Sequence, residues 1–166
     1  MLSDIEIEEC LKDGSLVISP FEPSCLNGAG YDLRLNDEIL IPAKERRLVA
    51  TLERVELEGT LSGTLHIRST LARAGMIASL ALVDPGFRGQ LTILLFNAGD
   101  EPFRLNRNDR FLQVTFHRLN VRTRRLYAGK YQDSQGIVDS RPQSPHSLCQ
   151  FVSKVLLLVR MGMCIS

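Results

Sequence analysis

Short apolar runs separated by turn residues make up most of the chain. Only the first stretch predicts a helix, because Ser3 and Glu6 form a capping box and Gly14 is placed to end the helix. The apolar runs that follow are SLVISPF, YDLRL, EILIPA, ERRLVAT, GTLHIRS, MIASLALV, LTILLFN, PFRLN and RFLQVTFHRL. Runs of this length with Pro, Gly, Asn and Asp at the breaks predict an all-β barrel or sandwich rather than alternating β-α-β units.

The composition fits one domain with little overall charge. A chain of 166 residues with 44% hydrophobic residues can bury a hydrophobic core. The formal net charge is +1, so no overall field draws the protein to nucleic acid or to a membrane, and we predict neither as a partner. The N-terminal sequence MLSDIEIEEC is acidic where a signal peptide would be basic, which predicts a cytoplasmic protein.

The cysteines and histidines form no pattern that is typical of a zinc site. The four cysteines contain no Cys-x-x-Cys pair and are interpreted as reduced thiols. The three histidines lie far apart, and none belongs to the His-x-Glu and Pro-Cys-x-x-Cys pairing with which zinc-dependent nucleobase deaminases activate water. We therefore predict no zinc site and interpret His66 and His117 as strand residues.

The C-terminal part divides into a polar segment and an apolar segment. Residues 128–146 are rich in turn residues and predict a loop or an arm that orders on binding, which closes a domain of residues 1–146. Residues 147–166 are apolar but are interrupted by Lys154 and Arg160. A helix that spans a bilayer needs about 20 consecutive apolar residues, so this segment is too short to span one. We expect this extension to pack on the domain or on a neighbouring subunit, which favours an oligomer.

The segment RSTLAR, residues 68–73, suits phosphate binding. Arg68 and Arg73 bracket the hydroxyls of Ser69 and Thr70 directly after a predicted strand. Guanidinium groups bind phosphate oxygens in bidentate fashion, and hydroxyls donate to them. The same segment also suits the start of a helix capped by Ser69 or Thr70, and both interpretations stay open.

Two further segments carry candidate chemistry. Asp84 lies at the bend of a predicted hairpin in LALVDPGFRGQLTILLFN, residues 80–97. Its carboxylate can form the turn, act as a general base or accept a hydrogen bond from a sugar hydroxyl. The segment GKYQDSQG, residues 129–136, is either a surface loop or an arm that closes over an anionic ligand.

Five motifs, taken in order, resemble the dCTP deaminase and dUTPase superfamily over residues 1–141. They are GYDLRL, RSTLAR, LVDPGFRGQLTILLFN, NDRFLQVTF and GKYQDSQG. The resemblance implies a distorted all-β jelly roll that assembles as a homotrimer with active sites at the subunit interfaces. It also implies a deoxyribonucleoside triphosphate as ligand, with magnesium on its phosphates.

The resemblance assigns roles to individual residues. Asp84 would lie near the deoxyribose 3′-hydroxyl, and in dUTPases the matching aspartate activates the attacking water. Phe87 would pack against the sugar, Asp32 would position the magnesium ion through water, and Ser134 departs from the arm motif by replacing a glutamine. The implied substrate-binding residues are Arg68, Ser69, Thr70, Arg73, Asp84, Phe87, Gln113, Lys130 and Tyr131.

Leu94 decides which reaction the sequence predicts. The deaminases of this superfamily carry a glutamate at the matching position of the return strand, where it shuttles protons as water attacks cytosine C4 without a metal. Leucine cannot transfer a proton, and such transfer typically contributes about 10²–10⁴-fold to a rate. The sequence therefore predicts a dUTP diphosphatase that needs magnesium and uses Asp84 to activate water. The alternatives are a zinc-independent dCTP deaminase with another proton carrier and a catalytically inactive nucleotide-binding homologue.

Overall fold

The computed structural model describes residues 1–140. The predicted extension 147–166, His146 and the last part of the arm lie outside the described residues. The helices and strands are α1 (Asp4–Asp13), β1 (Leu16–Ser19), β2 (Leu26–Asn27), β3 (Gly30–Arg34), β4 (Ile39–Ile41), β5 (Arg46–Leu57), β6 (Leu61–Ile67), α2 (Ser69–Arg73), β7 (Met76–Ser79), β8 (Leu82–Val83), β9 (Arg88–Asn97), β10 (Phe103–Leu105) and β11 (Arg110–Arg118).

The N-terminal helix forms as predicted. The hydroxyl of Ser3 accepts a hydrogen bond from the Glu6 amide, and the Glu6 carboxylate accepts one from the Ser3 amide at 2.9 Å. Gly14 ends α1 with φ of 78°, a left-handed conformation that glycine adopts without steric cost. Ile7 and Cys10 are buried on one side of the helix, which packs on β1.

The strands form antiparallel sheets around one core, so the prediction of an all-β fold is confirmed. One sheet has the order β1-β5-β9-β7, and a second has the order β2-β3-β11-β6-β8. The strands β10 and β4 form a separate pair. A single hydrophobic cluster contains side chains from both larger sheets, among them Val55, Leu95, Leu33 and Phe116. The two sheets thus enclose the core of a distorted jelly roll.

Strand β5 is longer than the predicted run ERRLVAT because it continues past an irregularity. Its pairing with β9 shifts register between Ala50 and Arg54. At this point the Thr51 hydroxyl donates to the Glu53 carbonyl at 2.8 Å and accepts from the Leu91 amide at 2.9 Å. The hydroxyl replaces missing ladder contacts, as expected where a bulge interrupts strand pairing.

A buried ion pair ties β5 to β3. The Glu53 side chain is fully buried and accepts from the Arg34 amide at 2.8 Å and from Arg34 Nε at 2.6 Å. A buried carboxylate needs such partners, because the low dielectric of the interior penalises an unpaired charge.

The segment around Asp84 is not the simple hairpin that the sequence predicts. Strand β9 pairs with β7, whereas β8 pairs with β6 in the other sheet. The Asp-Pro-Gly-Phe turn therefore carries the chain from one sheet to the other. A strand of two residues has too short a pattern to indicate which sheet it joins.

Candidate active site

The turn that carries Asp84 is held by backbone hydrogen bonds. The Phe87 amide donates to the Asp84 carbonyl at 3.1 Å, and the Gly86 amide donates to the Leu57 carbonyl at 2.9 Å. Gly86 has φ of 84°, a conformation in which a side chain would be strained. The Asp84 side chain is exposed. Phe87 is buried and contacts Tyr127 edge-on with 5.5 Å between the ring centroids.

A cavity of about 790 Å³ opens beside this turn. That volume lies within the range of pockets that hold small molecules. Strand β9 lines the cavity with Gln90, Thr92 and Leu94, which alternate along the strand and so share one face. Leu94 is paired with Leu48 of β5 on one side and with Ser79 of β7 on the other. The position of the family's glutamate is thus inside the cavity and is apolar.

The arm follows β9 of its own chain. Gly89 and Ser134 form a parallel bridge, in which the Ser134 hydroxyl donates to the Gln90 carbonyl at 2.7 Å. The Gln90 amide donates to the Ser134 carbonyl at 2.9 Å. Gln132 Nε2 donates to the Gly86 carbonyl at 2.8 Å, which attaches the arm to the turn as well. Ser134, the predicted departure in the arm motif, therefore joins the arm to the strand.

A charged clasp fixes the same part of the arm. The Asp133 carboxylate accepts from Arg88 Nε at 2.9 Å and Nη2 at 3.0 Å, and from Arg54 Nη2 at 2.8 Å. Hydrogen bonds from Arg88 and then from Arg54 lower the pKa of Asp133 to about 2. Asp133 therefore stays ionised throughout the physiological pH range.

The end of the described arm reaches the cavity. The Val138 amide donates to Thr92 Oγ1 at 3.0 Å, and the Gly136 amide donates to Gln90 Oε1 at 2.6 Å. Asp139 follows and lines the cavity. Sequence reasoning missed Asp139 because it lies in a polar, turn-rich segment without periodicity.

A second group lies at the five-stranded sheet and contains three predicted residues and Arg110, which was not predicted. We term this group the arginine cluster: Asp32, Arg68, Arg110 and Gln113. Asp32 of β3 is buried, and its Oδ2 lies 3.5 Å from Arg68 Nη1 and 3.9 Å from Arg110 Nη1. Gln113 of β11 is paired with Asp32. The two guanidinium groups neutralise the carboxylate of Asp32 and leave a net positive charge at this cluster.

Helix α2 carries the remaining residues of the RSTLAR motif. Arg68 is the N-cap residue and makes no side-chain capping hydrogen bond, so the interpretation of Ser69 or Thr70 as the cap is wrong. Ser69, Thr70 and Arg73 are exposed. Their side chains are accessible to an anionic ligand.

Within one chain the predicted site residues fall into two places. Asp84, Phe87 and Tyr131 line the cavity. Lys130 does not line it, although its Nζ lies 5.2 Å from the centroid of the Tyr131 ring. The predicted residues that also lie away from the cavity are Asp32, Arg68, Ser69, Thr70, Arg73 and Gln113.

The arrangement fits a magnesium ion that a nucleotide brings with it. Among residues 1–140 no cluster of three or more His, Cys, Asp or Glu side chains is placed to hold a metal. Magnesium is commonly bound through one or two carboxylates together with substrate phosphates and water. Asp32 offers one buried carboxylate, but Arg68 and Arg110 already neutralise it, so a magnesium ion here would depend on the phosphates of a ligand and on water for most of its ligands. In the same range no helix is long and apolar enough to cross a membrane.

Sequence comparison finds relatives along almost the whole described chain. The family model described as dCTP deaminase-like matches residues 36–119. The dCTP deaminase of Thermococcus gammatolerans is 41% identical over 156 residues, which cover 85% of this chain and 96% of the relative. A protein of Aquifex aeolicus named dCTP deaminase, dUMP-forming, is 35% identical and covers 85% of this chain and 94% of its own length.

Solved structures share the fold at low sequence identity. The 2′-deoxycytidine 5′-triphosphate deaminase from Agrobacterium tumefaciens matches with a TM-score of 0.62 and 15% identity, over 72% of this chain and 48% of that chain. EIAV dUTPase matches with a TM-score of 0.54 and 18% identity, over 69% of this chain and 98% of that chain. A dUTPase variant from phage phi11 of S. aureus matches with a TM-score of 0.54 and 15% identity, over 70% of this chain and 98% of that chain. That structure is described with a structural Mg(II) ion. These likenesses establish the dUTPase-like fold and nothing finer.

The relatives correct the predicted reaction. The prediction of a dUTP diphosphatase is wrong, because the similar sequences carry the name dCTP deaminase, which was the alternative. The wrong prediction rested on Leu94, which occupies the position on β9 where the deaminases of the superfamily were expected to carry a glutamate. The cavity also contains the carboxylates of Asp84 and Asp139, which come from other segments. The predicted superfamily is confirmed: the chain belongs to the dCTP deaminase-like family.

Proposed function

We propose that this protein is a dCTP deaminase, which hydrolyses the 4-amino group of the cytosine in dCTP and releases dUTP and ammonia without zinc. The observation that carries the proposal is the 41% identity to a dCTP deaminase across 85% of the chain. The cavity beside Asp84 supports it, because its volume of about 790 Å³ accommodates a nucleoside.

The base and sugar would occupy the cavity. Asp84, exposed at the rim, would accept a hydrogen bond from the deoxyribose 3′-hydroxyl. The ring of Phe87 lies beneath the rim against Tyr127 and would pack on the sugar, which leaves no space for a 2′-hydroxyl. These contacts would select deoxyribonucleotides over ribonucleotides.

The triphosphate would extend to the arginine cluster and α2 of a neighbouring subunit in a homotrimer. Arg68 and Arg73 would donate to the phosphate oxygens, together with the hydroxyls of Ser69 and Thr70. Gln113 would close this end of the site, and Lys130 and Tyr131 would reach it from the arm. Asp32 would hold a magnesium ion through water, and the bound ion would offset part of the triphosphate charge.

Hydrolytic deamination requires proton transfer, which the side chain of Leu94 cannot perform. A proton must leave the attacking water, and another must reach the departing amine. Transfer by a positioned side chain contributes about 10²–10⁴-fold, so the cavity needs a titratable group from another segment.

Product analysis tests the proposal. The purified protein is incubated with dCTP and Mg²⁺, ammonia is measured, and the nucleotides are separated by anion-exchange chromatography. We expect equal amounts of dUTP and ammonia. Formation of dUMP would add the second step that the name of the Aquifex relative describes. Binding of dCTP without release of ammonia would overturn the proposal in favour of an inactive homologue.

Two arginine variants supply a matched comparison. Arg68→Ala should raise KM for dCTP by at least about tenfold, because a hydrogen bond to a charged group contributes about 1.5–3 kcal/mol. Arg104→Ala should leave KM unchanged, because Arg104 is exposed on β10 and lies outside both groups of site residues. Equal KM values for the two variants would contradict the role of Arg68.

A further inference from the structure

The cavity has two carboxylates within the described chain, Asp84 and Asp139. It is lined by no glutamate, histidine or cysteine of residues 1–140. Asp84 stands at the turn beside Phe87, where the sugar would bind, so its carboxylate is at the wrong end of the nucleoside for chemistry on cytosine C4. Asp139 is the remaining carboxylate.

The arm brings Asp139 into the cavity that Leu94 lines. Gly89 is bridged in parallel with Ser134, which lies 45 positions further along the chain. Both edges of β9 are occupied at Leu94, by Leu48 and Ser79, so beyond Gln90 the arm contacts β9 through the side chains of Gln90 and Thr92 rather than as a further strand. Thr92 and Leu94 are two positions apart and share the face of β9 that lines the cavity. The bond from the Val138 amide to Thr92 Oγ1 at 3.0 Å keeps the arm beside β9 up to the residue before Asp139. Leu94 and Asp139 both line the cavity.

We propose that Asp139 takes the role of the missing strand glutamate and faces the C4 edge of the cytosine. This inference rests on the proposed deamination. The carboxylate has moved from β9 to the arm that runs alongside it, so an apolar residue at position 94 is compatible with turnover.

The single carboxylate of Asp139 can then carry both proton transfers of the reaction. Asp139 accepts a proton from the attacking water as the water oxygen bonds to C4, and the electron pair of the N3=C4 bond moves to N3, which takes that proton. Asp139 next accepts the proton of the new C4 hydroxyl and delivers it to the amino nitrogen. The C4–N bond breaks, the C4=O bond forms, ammonia leaves and Asp139 is again ionised. The sum is dCTP and water to dUTP and ammonia.

The position of Asp139 also predicts how the cavity binds the product. An ionised carboxylate accepts a hydrogen bond from the 4-amino group of cytosine, but it repels the O4 oxygen of uracil. An asparagine side chain can donate to O4 instead. Asp139→Asn should therefore tighten dUTP binding, and this can be measured whether or not the protein turns dCTP over.

The experiment compares Asp139→Asn with Asp37→Asn, a control at an exposed aspartate outside the cavity. For Asp139→Asn we expect kcat for ammonia release to fall at least about 10²-fold with little change in KM. Calorimetric titration with dUTP and Mg²⁺ should show at least about fivefold tighter binding. Asp37→Asn should match the parent in both measurements. The double variant Leu94→Glu with Asp139→Asn should regain part of the lost rate, because it returns a carboxylate to β9.

The outcomes separate this inference from the proposed function. Parent-like ammonia release and parent-like dUTP affinity in Asp139→Asn would overturn the inference while deamination stands. If the parent releases no ammonia, the proposed function fails and Asp139 is not a proton carrier. The dUTP titration then still decides whether Asp139 faces the base, since its result does not depend on turnover.

Discussion

Ser134 lies against Gly89 in a parallel bridge, so the arm of this chain is attached to the strand that lines its own cavity. A Cβ atom on Gly89 would lie 2.6 Å from Ser134 Oγ and 3.0 Å from the Ser134 amide nitrogen. Gly89 also has φ of 152°, which side chains rarely adopt. The bridge therefore depends on glycine at this position of the strand.

Gly89→Ala should displace the arm and destabilise the fold by about 1–3 kcal/mol, because the methyl group meets the arm backbone. Thermal unfolding and limited proteolysis of the arm measure the two effects. Gly28→Ala is the control, because a Cβ at Gly28 meets nothing within 4 Å. Equal melting temperatures for the two variants would show that the arm does not pack on Gly89.

The clasp of Asp133 predicts how arm docking depends on pH. The pKa of Asp133 is lowered to about 2 in the folded protein, from about 3.9 in an unfolded chain. A lowered pKa means that the clasp stabilises fully above about pH 4 and is lost as the pH falls towards 2. Hydrogen exchange of the arm amides should therefore stay constant from pH 5 to 8, after correction for the intrinsic rate.

Asp133→Asn should release the arm at neutral pH, because Arg88 loses its charged acceptor and Arg54 keeps only Glu56, which is not in the arm. The variant should show faster exchange in the arm and a smaller sensitivity to 1 M salt than the parent, since salt screens exposed ion pairs. Asp100→Asn breaks an exposed ion pair with Lys44 and serves as control. Parent-like protection of the arm in Asp133→Asn would contradict the clasp.

The buried pair of Arg34 and Glu53 should matter more for stability than any exposed pair. Glu53→Ala removes one partner of a buried ion pair and leaves the guanidinium of Arg34 mostly buried, which typically costs about 3–5 kcal/mol. Urea denaturation measures the loss, with Glu38→Ala as an exposed control. A loss below about 1 kcal/mol would show that the pair does not hold β3 to β5.

Active sites shared between subunits can be detected by mixing two inactive variants. Arg68→Ala and Asp84→Asn should each lose most activity alone, because they disable opposite halves of the same site. If a site takes Arg68 from one chain and Asp84 from another, random mixed trimers recover about a quarter of the parent's sites. Co-refolded mixtures are assayed for ammonia release. Activity equal to the average of the separate variants would place both residues of a site on one chain.

The parts of the fold that depend on local pattern could be predicted from the sequence. The capping box of Ser3 and Glu6 and the end of α1 at Gly14 are local, and the alternating runs became strands. The pairing of β8 with β6 could not be predicted, because a two-residue strand carries no periodic signal. The extension of β5 past Thr51 was missed because a side-chain hydroxyl, rather than the hydrophobic pattern, carries the strand across its irregularity.

The candidate site also combines residues that local motifs predicted with a residue whose position depends on tertiary packing. Asp84, Phe87 and Tyr131 were predicted from motifs and line one cavity. Asp139 could not be predicted, because its place in the cavity follows from the packing of the arm on β9. The reaction was predicted from the residue at position 94 alone, and the names of the similar sequences contradict that prediction.

Ammonia release from dCTP by the unmodified protein tests the central claim most directly. Purified protein is incubated with dCTP and Mg²⁺ in the presence of a zinc-selective chelator, and ammonia and nucleotides are measured in the same sample. The account predicts one ammonia for each dCTP consumed, repeated over many turnovers, although position 94 is leucine. Saturable binding of dCTP with no ammonia released above the protein-free control would contradict it.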